Sequence, residues 1–290
     1  MTLPRIMVEP IVRAALLEDL GRAGDLTTQA TVPADARGQV ALVARDPGVV
    51  AGLDAALLAW RLLDDGDADG GVEVRVLLPD GSPVRPGDEI AVVAGPARTM
   101  LTGERVALNL LGHLSGVATA TAGLTRAVEG TRARICCTRK TTPCLRALEK
   151  EAVRAGGGSN HRFGLDDAVL VKDNHLAFAG GIEPALRGIR ERVGHLVKVE
   201  VEVDTLDQLE TVLSLRDERG LLVDAVLLDN MTPEQLAEAV ALVDGRAITE
   251  ASGRITAQTA GPIARAGVDL ISAGWITHSA PVLDIGLDHR

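Results

Sequence analysis

The order of apolar and polar positions after residue 116 follows one repeating unit. Each unit has a short apolar run typical of a buried strand, and then a longer segment with apolar residues at helical spacing. The apolar runs are ARIC, AVLV, LVKVEVEV, AVLLDN, AITEASG and VDLISAG. Strands that alternate with helices form parallel sheets, and right-handed crossovers between almost continuously apolar strands favour closure into a barrel. We therefore predict an open parallel α/β barrel over residues 116–275.

The first part of the chain has a different pattern. Apolar positions between residues 8 and 20 recur at helical spacing and predict an amphipathic helix, and the segment EDLGRAGDLTTQA after it is typical of a polar turn. From Gly38 to Gly95, QVALVA, VEVRVLL and EIAVVAG alternate in polarity and predict a small, mostly antiparallel sheet with one helix around residues 53–63. A second helix over residues 97–114 leads into the barrel. We expect an N-terminal α+β sandwich domain at residues 1–115, with a C-terminal tail, 276–290, that packs back on it.

Cations, acids and small-residue turns stand just past the predicted barrel strands. The carboxyl ends of barrel strands share one rim, so these residues are expected to face a common ligand. They are the cations Arg139, Lys140 and Lys172, the acids Glu202 and Asp229, and the turns Ser252-Gly253 and Ser272-Ala273-Gly274.

Two kinds of ligand site are expected on this rim. The Ser-Gly and Ser-Ala-Gly turns precede helices, so they leave backbone N–H groups available to a phosphate, unless they are only tight connections. Glu202 and Asp229 suit a hard divalent cation such as Mg²⁺ between themselves and phosphate oxygens. In the alternative, Glu202 only pairs with a lysine of the barrel such as Lys198.

A loop before the second barrel strand adds further candidates. Asn160, His161 and Arg162 follow a run of glycines, so the loop can approach a ligand closely. The planar fork of Arg162 matches a carboxylate, and Lys172 supplies a point charge. Arg105, on the predicted helix before the barrel, is either a solvated charge or a ligand.

The distribution of charge along the chain supports a site for an anion. The chain has a formal net charge of −10, yet residues 132–172 carry nine Lys or Arg against four acids, which indicates an anionic ligand. Aromatic residues make up 1% of the chain and Tyr is absent, so stacking platforms for nucleic acid are not available. With a pI near 5.1, no nucleic-acid partner is expected.

Other features define the expected compartment. Cys136, Cys137 and Cys144 are odd in number and clustered without paired spacing, which argues against a disulfide framework or a zinc site. No apolar run approaches the roughly 20 residues of a membrane helix. The N-terminal segment lacks the parts of a signal peptide, so a cytoplasmic protein without a membrane partner is expected.

The run TRKTTP, followed by LEK, AVR, GGGSNHR, GLDDA and KDNH, resembles the signature of the quinolinate phosphoribosyltransferase family. Further matching stretches extend from about residue 9 to residue 288. The resemblance implies a type II phosphoribosyltransferase-like barrel and a homodimer or higher oligomer. It also implies a reaction that joins quinolinate to phosphoribosyl pyrophosphate with magnesium, giving nicotinate mononucleotide, pyrophosphate and carbon dioxide.

The resemblance assigns roles by motif position. Arg139, His161, Arg162 and Lys172 resemble the quinolinate pocket, joined by Arg105 of a neighbouring subunit. Lys140, Glu202 and Asp229 are the expected catalytic residues, and the two acids are also the expected metal ligands. The expected contacts to phosphoribosyl pyrophosphate are Thr138, Arg139, Lys140, Lys172, Glu202, Asp229, Ser252, Gly253, Arg254, Ser272, Ala273, Gly274 and His278.

Three departures from the family pattern keep alternatives open. Cys144 and Arg254 stand where the family usually has Gly, and Glu151 stands where it usually has Tyr. The chain could act on a monocarboxylate such as nicotinate or be a molybdenum-associated paralogue, although Arg105 and Arg162 favour a dicarboxylate. From a different class, it could be a non-catalytic sensor of a phosphorylated metabolite. Turnover separates the enzymes from the sensor.

Overall fold

The computed structural model describes residues 3–64 and 71–290 of the 290-residue chain. Residues 1–2 and 65–70, which the predicted first domain includes, lie outside the described residues. The helices are α1 Arg5–Leu20, α2 Leu26–Thr31, α3 Leu53–Leu63, α4 Ala97–Ala127, α5 Arg146–Ala155, α6 Asp173–Ala179, α7 Ile182–Arg192, α8 Leu206–Ser214, α9 Pro233–Val243, α10 Ala257–Arg265 and α11 Trp275–His278. The strands are β1 Arg37–Ala44, β2 Gly48–Val49, β3 Glu73–Val76, β4 Pro83–Val84, β5 Glu89–Pro96, β6 Arg134–Cys136, β7 Val169–Val171, β8 Val199–Val203, β9 Arg216–Asp217, β10 Gly220–Leu221, β11 Ala225–Asp229, β12 Ile248–Ser252, β13 Leu270–Ser272 and β14 Ile285–His289.

The chain divides into two compact units. The first comprises Met1–Ala122, Thr141–Gly157 and Trp275–Arg290, and the second comprises Gly123–Lys140 and Gly158–Gly274. Helix α5, which the sequence pattern predicts as a barrel helix, therefore belongs to the first unit. The domain boundaries predicted from the sequence stay a prediction.

The second unit contains the predicted barrel. Its six-stranded sheet has the order β6-β13-β12-β11-β8-β7, and each adjacent pair is parallel. Strands β6 and β7 form the two edges, and an isolated parallel bridge links Cys136 to Ser159. The prediction of an α/β barrel is confirmed.

The register of the barrel strands brings their polar ends to one level. Asp229 at the end of β11 pairs with Ser252 at the end of β12, and Ser272 of β13 pairs with Cys136 of β6. Helices α8, α9 and α10 follow barrel strands and each begins with a capping box. Their N-cap residues are Thr205, Thr232 and Thr256. Each cap lies two to four residues after the preceding strand, so the connections at the rim are short.

The first unit contains the predicted antiparallel sheet, in the order β14-β1-β5-β3. Strand β14 from the C-terminal tail pairs with β1 from Val40 to Ala44. Helix α3 is apolar and largely buried, and the indole N–H of its fully buried Trp60 donates to the Met100 carbonyl at 2.9 Å. The prediction of a helix around residues 53–63 is confirmed.

Helix α4 corrects one prediction, because it continues to Ala127 instead of ending at residue 114. Gly112 and Gly116 resemble helix breakers in the sequence. In the structure the helix lies against the backbone of residues 281–283, and a Cβ on Gly116 would lie 2.1 Å from the Pro281 carbonyl oxygen. These glycines permit close packing and do not end the helix. Despite its length, α4 is not apolar enough to cross a membrane, and neither is any other helix in the described ranges.

The segment after α1 also differs from its prediction. The predicted polar turn contains α2, whose N-cap residue Asp25 accepts a hydrogen bond from the Thr28 backbone N–H at 2.9 Å. The Thr102 hydroxyl donates to the other carboxylate oxygen at 3.1 Å. Hydrogen bonds from Thr28 are the main cause that lowers the pKa of Asp25.

Candidate active site

A cavity of about 460 Å³ lies at the carboxyl ends of the barrel strands. It brings together most of the predicted rim residues with the predicted loop residues. Its polar lining consists of Thr138, Arg139, Lys140, His161, Arg162, Lys172, Glu202, Asp229, Glu250, Ser252 and Ser272. Gly253, Arg254, Ala273 and Gly274 belong to the same unit at the ends of β12 and β13, whereas Arg105 and His278 belong to the first unit.

The loop that carries Arg162 is held at both of its ends. The Ser159 backbone N–H donates to a β6 carbonyl at 2.8 Å, and the Cys137 thiol donates to the Asn160 side chain at 3.3 Å. After Arg162, the Asp167 carboxylate accepts backbone N–H groups of residues 163 and 164 at 2.6 and 2.9 Å. These bonds hold the backbone of the loop on both sides of Arg162.

The Arg162 side chain is prepared for an anion. One guanidinium nitrogen donates to the Ala168 carbonyl at 3.0 Å, while Nε is buried and has no hydrogen-bond partner among the described residues. Burial, and next the neighbouring Arg139, lower the pKa of Arg162. An arginine stays charged under these conditions, so its environment favours the arrival of a negative ligand.

Glu202 at the end of β8 forms an ion pair with Lys172 from the end of β7. The alternative in which Glu202 pairs with a lysine of the barrel is borne out as to the pairing, but the partner is Lys172. Lys198 is the wrong partner, because its ammonium lies 2.6 Å from Asp224 at the amino ends of the strands. The Glu202 side chain is 14% exposed and that of Lys172 is 45% exposed, so the lysine reaches toward solvent and ligand.

Asp229 at the end of β11 is held by its neighbour. The Asn230 amide donates to the Asp229 carboxylate at 2.5 Å, and the Asn230 backbone N–H donates to the Ser252 carbonyl at 2.9 Å. Gly253 has φ +110°, and a Cβ there would lie 2.3 Å from the Asn230 side-chain oxygen. Packing against Asn230 is therefore sufficient reason for the glycine.

The Ser-Ala-Gly turn after β13 corrects part of the phosphate prediction. The Ala273 backbone N–H is not available to a phosphate, because it donates to the Cys136 carbonyl at 3.0 Å. A Cβ on Gly274 would lie 2.9 Å from Cδ of Lys140 and 3.3 Å from the Thr138 hydroxyl. Gly274 thus leaves room for the Lys140 side chain.

The three departures from the family pattern now have a structural description. Cys144 and Arg254 both have left-handed backbone conformations, with φ of 66° and 47°, which explains why glycine suits these positions. Both residues are exposed. Glu151 lies on α5 in the first unit and contacts Arg154 at 3.3 Å. Sequence reasoning alone does not reveal the backbone conformation.

Two acids of the site are missed by the sequence analysis. Glu200 and Glu250 lie inside β8 and β12, and both are buried beneath His161. Burial, then repulsion from Glu200, raises the pKa of Glu250 to about 7, while His161 and the nearby Ser272 and Cys136 act in the opposite direction. The available signal was an acid flanked by apolar residues within each strand, in VEVEV and ITEAS.

The expected metal ligands fit a magnesium ion chemically. Glu202 and Asp229 end neighbouring strands and line the same cavity. Carboxylate oxygens are the ligands that Mg²⁺ takes from proteins, with water and substrate phosphates completing its shell. The donor set therefore suits a hard divalent cation.

Comparisons with known proteins cover nearly the whole chain. The model of the quinolinate phosphoribosyl transferase N-terminal domain matches residues 25–115, and that of the C-terminal domain matches residues 117–288. The nicotinate-nucleotide pyrophosphorylase [carboxylating] of Mycobacterium leprae (strain TN) is 46% identical over 96% of this chain and 95% of its own length. The probable enzyme of the same name from Bacillus subtilis (strain 168) is 39% identical over 98% of this chain and 93% of its own. The crystal structure of NadC from Streptococcus pyogenes, 37% identical, aligns with a TM-score of 0.91 over 100% of this chain and 99% of that chain.

Proposed function

The chain belongs to the quinolinate phosphoribosyltransferase family, and from this premise we infer that it joins quinolinate to phosphoribosyl pyrophosphate. It is a pentosyltransferase of de novo NAD biosynthesis, and its products are nicotinate mononucleotide, pyrophosphate and carbon dioxide. One observation carries this inference beyond the family. Arg139, Arg162 and Lys172 line one cavity together with the acids Glu202 and Asp229.

The cations account for the pyridine substrate. Quinolinate carries two adjacent carboxylates, so a pocket must neutralise two negative charges. Arg162 offers a planar fork with a buried Nε that awaits an acceptor, and Arg139 and Lys172 add two further charges close by. We assign Arg139, His161, Arg162 and Lys172 to this pocket. A monocarboxylate would leave part of this positive charge without a partner.

The acids account for the sugar. Loss of pyrophosphate leaves positive charge on the ribose ring, and the carboxylates of Glu202 and Asp229 stabilise that charge as it develops. The ion pair with Lys172 orients the Glu202 carboxylate before substrate arrives. Lys140 supplies a cation for the departing pyrophosphate. The further phosphate contacts that we propose are Thr138, Ser252, Gly253, Arg254, Ser272, Gly274 and His278.

We propose that Glu202 and Asp229 also hold Mg²⁺. A bound magnesium ion would neutralise phosphate oxygens and orient the pyrophosphate as it leaves. Both carboxylates then have two tasks, toward the ion and toward the ribose.

The remaining chemistry follows from the substrate. The pyridine nitrogen attacks the anomeric carbon as the bond to pyrophosphate breaks, and the carboxylate next to that nitrogen then leaves as carbon dioxide. The cationic nitrogen stabilises the electron pair left on the adjacent ring carbon, which takes a proton from water. The protein's part is positioning and charge placement, and no covalent nucleophile is needed. We further propose a homodimer in which Arg105 of one subunit completes the quinolinate pocket of the other.

One incubation tests the proposed function. The protein, phosphoribosyl pyrophosphate and magnesium are mixed with quinolinate or with nicotinate, and both carbon dioxide and mononucleotide are measured. We expect equal amounts of the two products from quinolinate and negligible turnover of nicotinate. Turnover of nicotinate alone would identify a monocarboxylate enzyme, and binding without turnover of either compound would identify a sensor.

A further inference from the structure

The buried group beneath the rim consists of His161, Glu200 and Glu250. Their side chains are 12%, 11% and 2% exposed. They come from the loop before β7, from β8 and from β12, and one polar atom from each of the three lies within 4.8 Å of the other two. Buried acids at a site for an anion are costly, so their presence calls for a specific role.

The hydrogen bonds of His161 determine which ring nitrogen carries the proton. The Arg162 backbone N–H donates to Nδ1 at 2.8 Å, so Nδ1 is the acceptor and the neutral ring carries its proton on Nε2. Nε2 lies 3.0 Å from a Glu200 carboxylate oxygen and donates to it. The nearest Glu250 oxygen is 3.7 Å away, beyond hydrogen-bonding distance. Both ring nitrogens therefore have protein partners.

This pattern makes His161 a bridge between the barrel and the loop. One nitrogen is fixed to a strand inside the barrel, and the other is fixed to the backbone of the residue that carries the buried guanidinium. Recognition by a planar fork requires orientation within about 10–20°. A bond to the Arg162 main chain supplies that restraint at the Cα end of the side chain, and the Ala168 carbonyl supplies it at the guanidinium end.

We propose that Glu200 is a positioning residue, which acts through the His161 imidazole to orient Arg162 for the second carboxylate of the substrate. His161 then contributes to substrate recognition through Arg162 and not through its own ring nitrogens. The inference rests on the proposed function, because it concerns the recognition of a dicarboxylate.

A set of variants tests the chain of contacts. Glu200→Met removes the acceptor at similar volume, and Glu200→Gln keeps an acceptor oxygen without the charge. We expect Glu200→Met to raise the KM for quinolinate about tenfold or more, equivalent to at least about 1.4 kcal/mol, with the KM for phosphoribosyl pyrophosphate within about twofold. Glu200→Gln should stay within about threefold of wild type for both substrates. A Glu200→Gln variant as impaired as Glu200→Met would overturn the proposal.

A double-mutant cycle separates indirect from direct action. If Glu200 acts only through the ring, Glu200→Met adds less than about twofold to the KM of the His161→Ala protein. Fully multiplicative effects would mean that His161 and Glu200 act independently, and the proposal fails. Wild-type turnover of quinolinate is measured first, so that a failure of the proposed function is recognised separately.

A measurement on the unaltered protein covers the case in which Glu200→Met does not fold. Nitrogen-15 spectra of the histidine rings, with His161 assigned by comparison with His161→Asn, report the tautomer directly. We expect a neutral ring protonated on Nε2, both before and after saturation with quinolinate. A ring that ionises or changes tautomer on binding would show direct contact with the substrate and would overturn the proposal.

Discussion

Arg162 illustrates how a site for an anion is prepared before the anion arrives. Its Nε is buried without a hydrogen-bond partner in the described ranges, and both burial and Arg139 lower its pKa. These are unfavourable terms for a charged group in the empty protein. When a carboxylate enters, it can accept a hydrogen bond from Nε and offset the positive charge. The arrangement of Arg162 is therefore stabilised by the anion that it binds. The ordering bonds from Asp167 and His161 keep the loop from relaxing away from this arrangement.

The division of roles between cations and acids gives a first prediction. Asp229→Asn should depress turnover strongly, since it removes a charge next to the ribose and magnesium. Quinolinate binding measured alone by calorimetry should stay nearly unchanged, because the carboxylate pocket is formed by other residues. Loss of quinolinate binding in this variant would contradict the division.

Arg254 gives a second prediction at the residue scale. It combines an exposed guanidinium with a left-handed backbone, so two substitutions separate its two properties. Both Arg254→Gly and Arg254→Ala should change the KM for phosphoribosyl pyrophosphate by less than about tenfold, on the order of 1.4 kcal/mol. Arg254→Gly alone should relieve backbone strain and raise the unfolding free energy over that of Arg254→Ala by about 1 kcal/mol in denaturant titrations. A much larger KM change would make Arg254 a principal phosphate ligand.

Glu250 gives a prediction about pH. Its carboxyl has a pKa of about 7 in the folded protein against an ordinary value of 4.5. Between those values the unfolded chain has released the proton and the folded protein still holds it, so this group lowers stability as pH rises from 4.5 to 7. Glu250→Gln should therefore gain stability over wild type across this window, by up to about 3 kcal/mol at and above pH 7.

Denaturant titrations at several pH values measure this difference. Glu183→Gln, which removes a carboxylate from an exposed ion pair on α7, is the matched control and should show no such window. Parallel stability profiles for wild type and Glu250→Gln would show that Glu250 is ionised in the folded protein throughout.

The site was predictable from sequence where geometry follows from topology alone. Arg139, Lys172, Glu202 and Asp229 follow apolar strands, and parallel strands in a barrel necessarily bring their carboxyl ends together. Glu200 and Glu250 were not predictable in this way. Their role depends on the registers of β8 and β12 with β11, and on the loop that brings His161 to them. The sequence pattern predicts strands without determining either feature.

At the scale of elements, the strands were predicted more reliably than the ends of helices. The barrel strands are rich in apolar residues, and this signal is local. The end of α4 depends instead on contacts with residues 281–283, far away in sequence. In α2, Asp25 acts as a helix cap through the nearby Thr28 N–H, and it also accepts a hydrogen bond from the distant Thr102. A glycine or an acid has several structural uses, and only the tertiary contact selects among them.

Helix α4 contains two glycines that give a prediction about packing. Gly116→Ala would place a Cβ 2.1 Å from the Pro281 carbonyl oxygen, whereas a Cβ on Gly123 meets nothing within 4 Å. We expect Gly116→Ala to lower the unfolding free energy by about 1–3 kcal/mol through overpacking. Gly123→Ala should raise it by up to about 1 kcal/mol, because alanine favours helix. Denaturant titrations of both variants measure the free energy of unfolding. Equal changes in Gly116→Ala and Gly123→Ala would contradict the packing role of Gly116.

At the scale of the barrel unit, cations lie at both ends of the strands. At the amino ends, the Arg132 guanidinium lies 3.1 Å from Asp269, and Lys198 pairs with Asp224. A buried Nε without a hydrogen-bond partner among the described residues occurs at both ends, in Arg190 and in Arg162. The carboxyl ends differ because their cations share a cavity with Glu202 and Asp229, the acids that suit a divalent cation. The combination of cations with these two acids therefore distinguishes the carboxyl ends as the candidate site.

At the scale of the assembly, the role that we propose for Arg105 requires a second subunit. It is exposed on α4 in the first unit, away from any strand end of the barrel in sequence. A two-fold dimer in which this surface of one subunit covers the cavity of the other would bring Arg105 to the substrate and exclude water from the reaction. Each active site would then contain Arg105 from one chain and Lys140 from the other.

The shared-site model makes a numerical prediction. When the inactive Arg105→Ala and Lys140→Ala proteins are mixed in equal amounts and exchange subunits, about half of the dimers are mixed, and each mixed dimer has one intact site. Activity should therefore return to roughly a quarter of wild type if the sites act independently. Each variant incubated alone is the control, and native mass spectrometry verifies the exchange. If exchange is complete and the mixture stays inactive, Arg105 acts within its own chain or the two sites are coupled, and the model of independent shared sites fails.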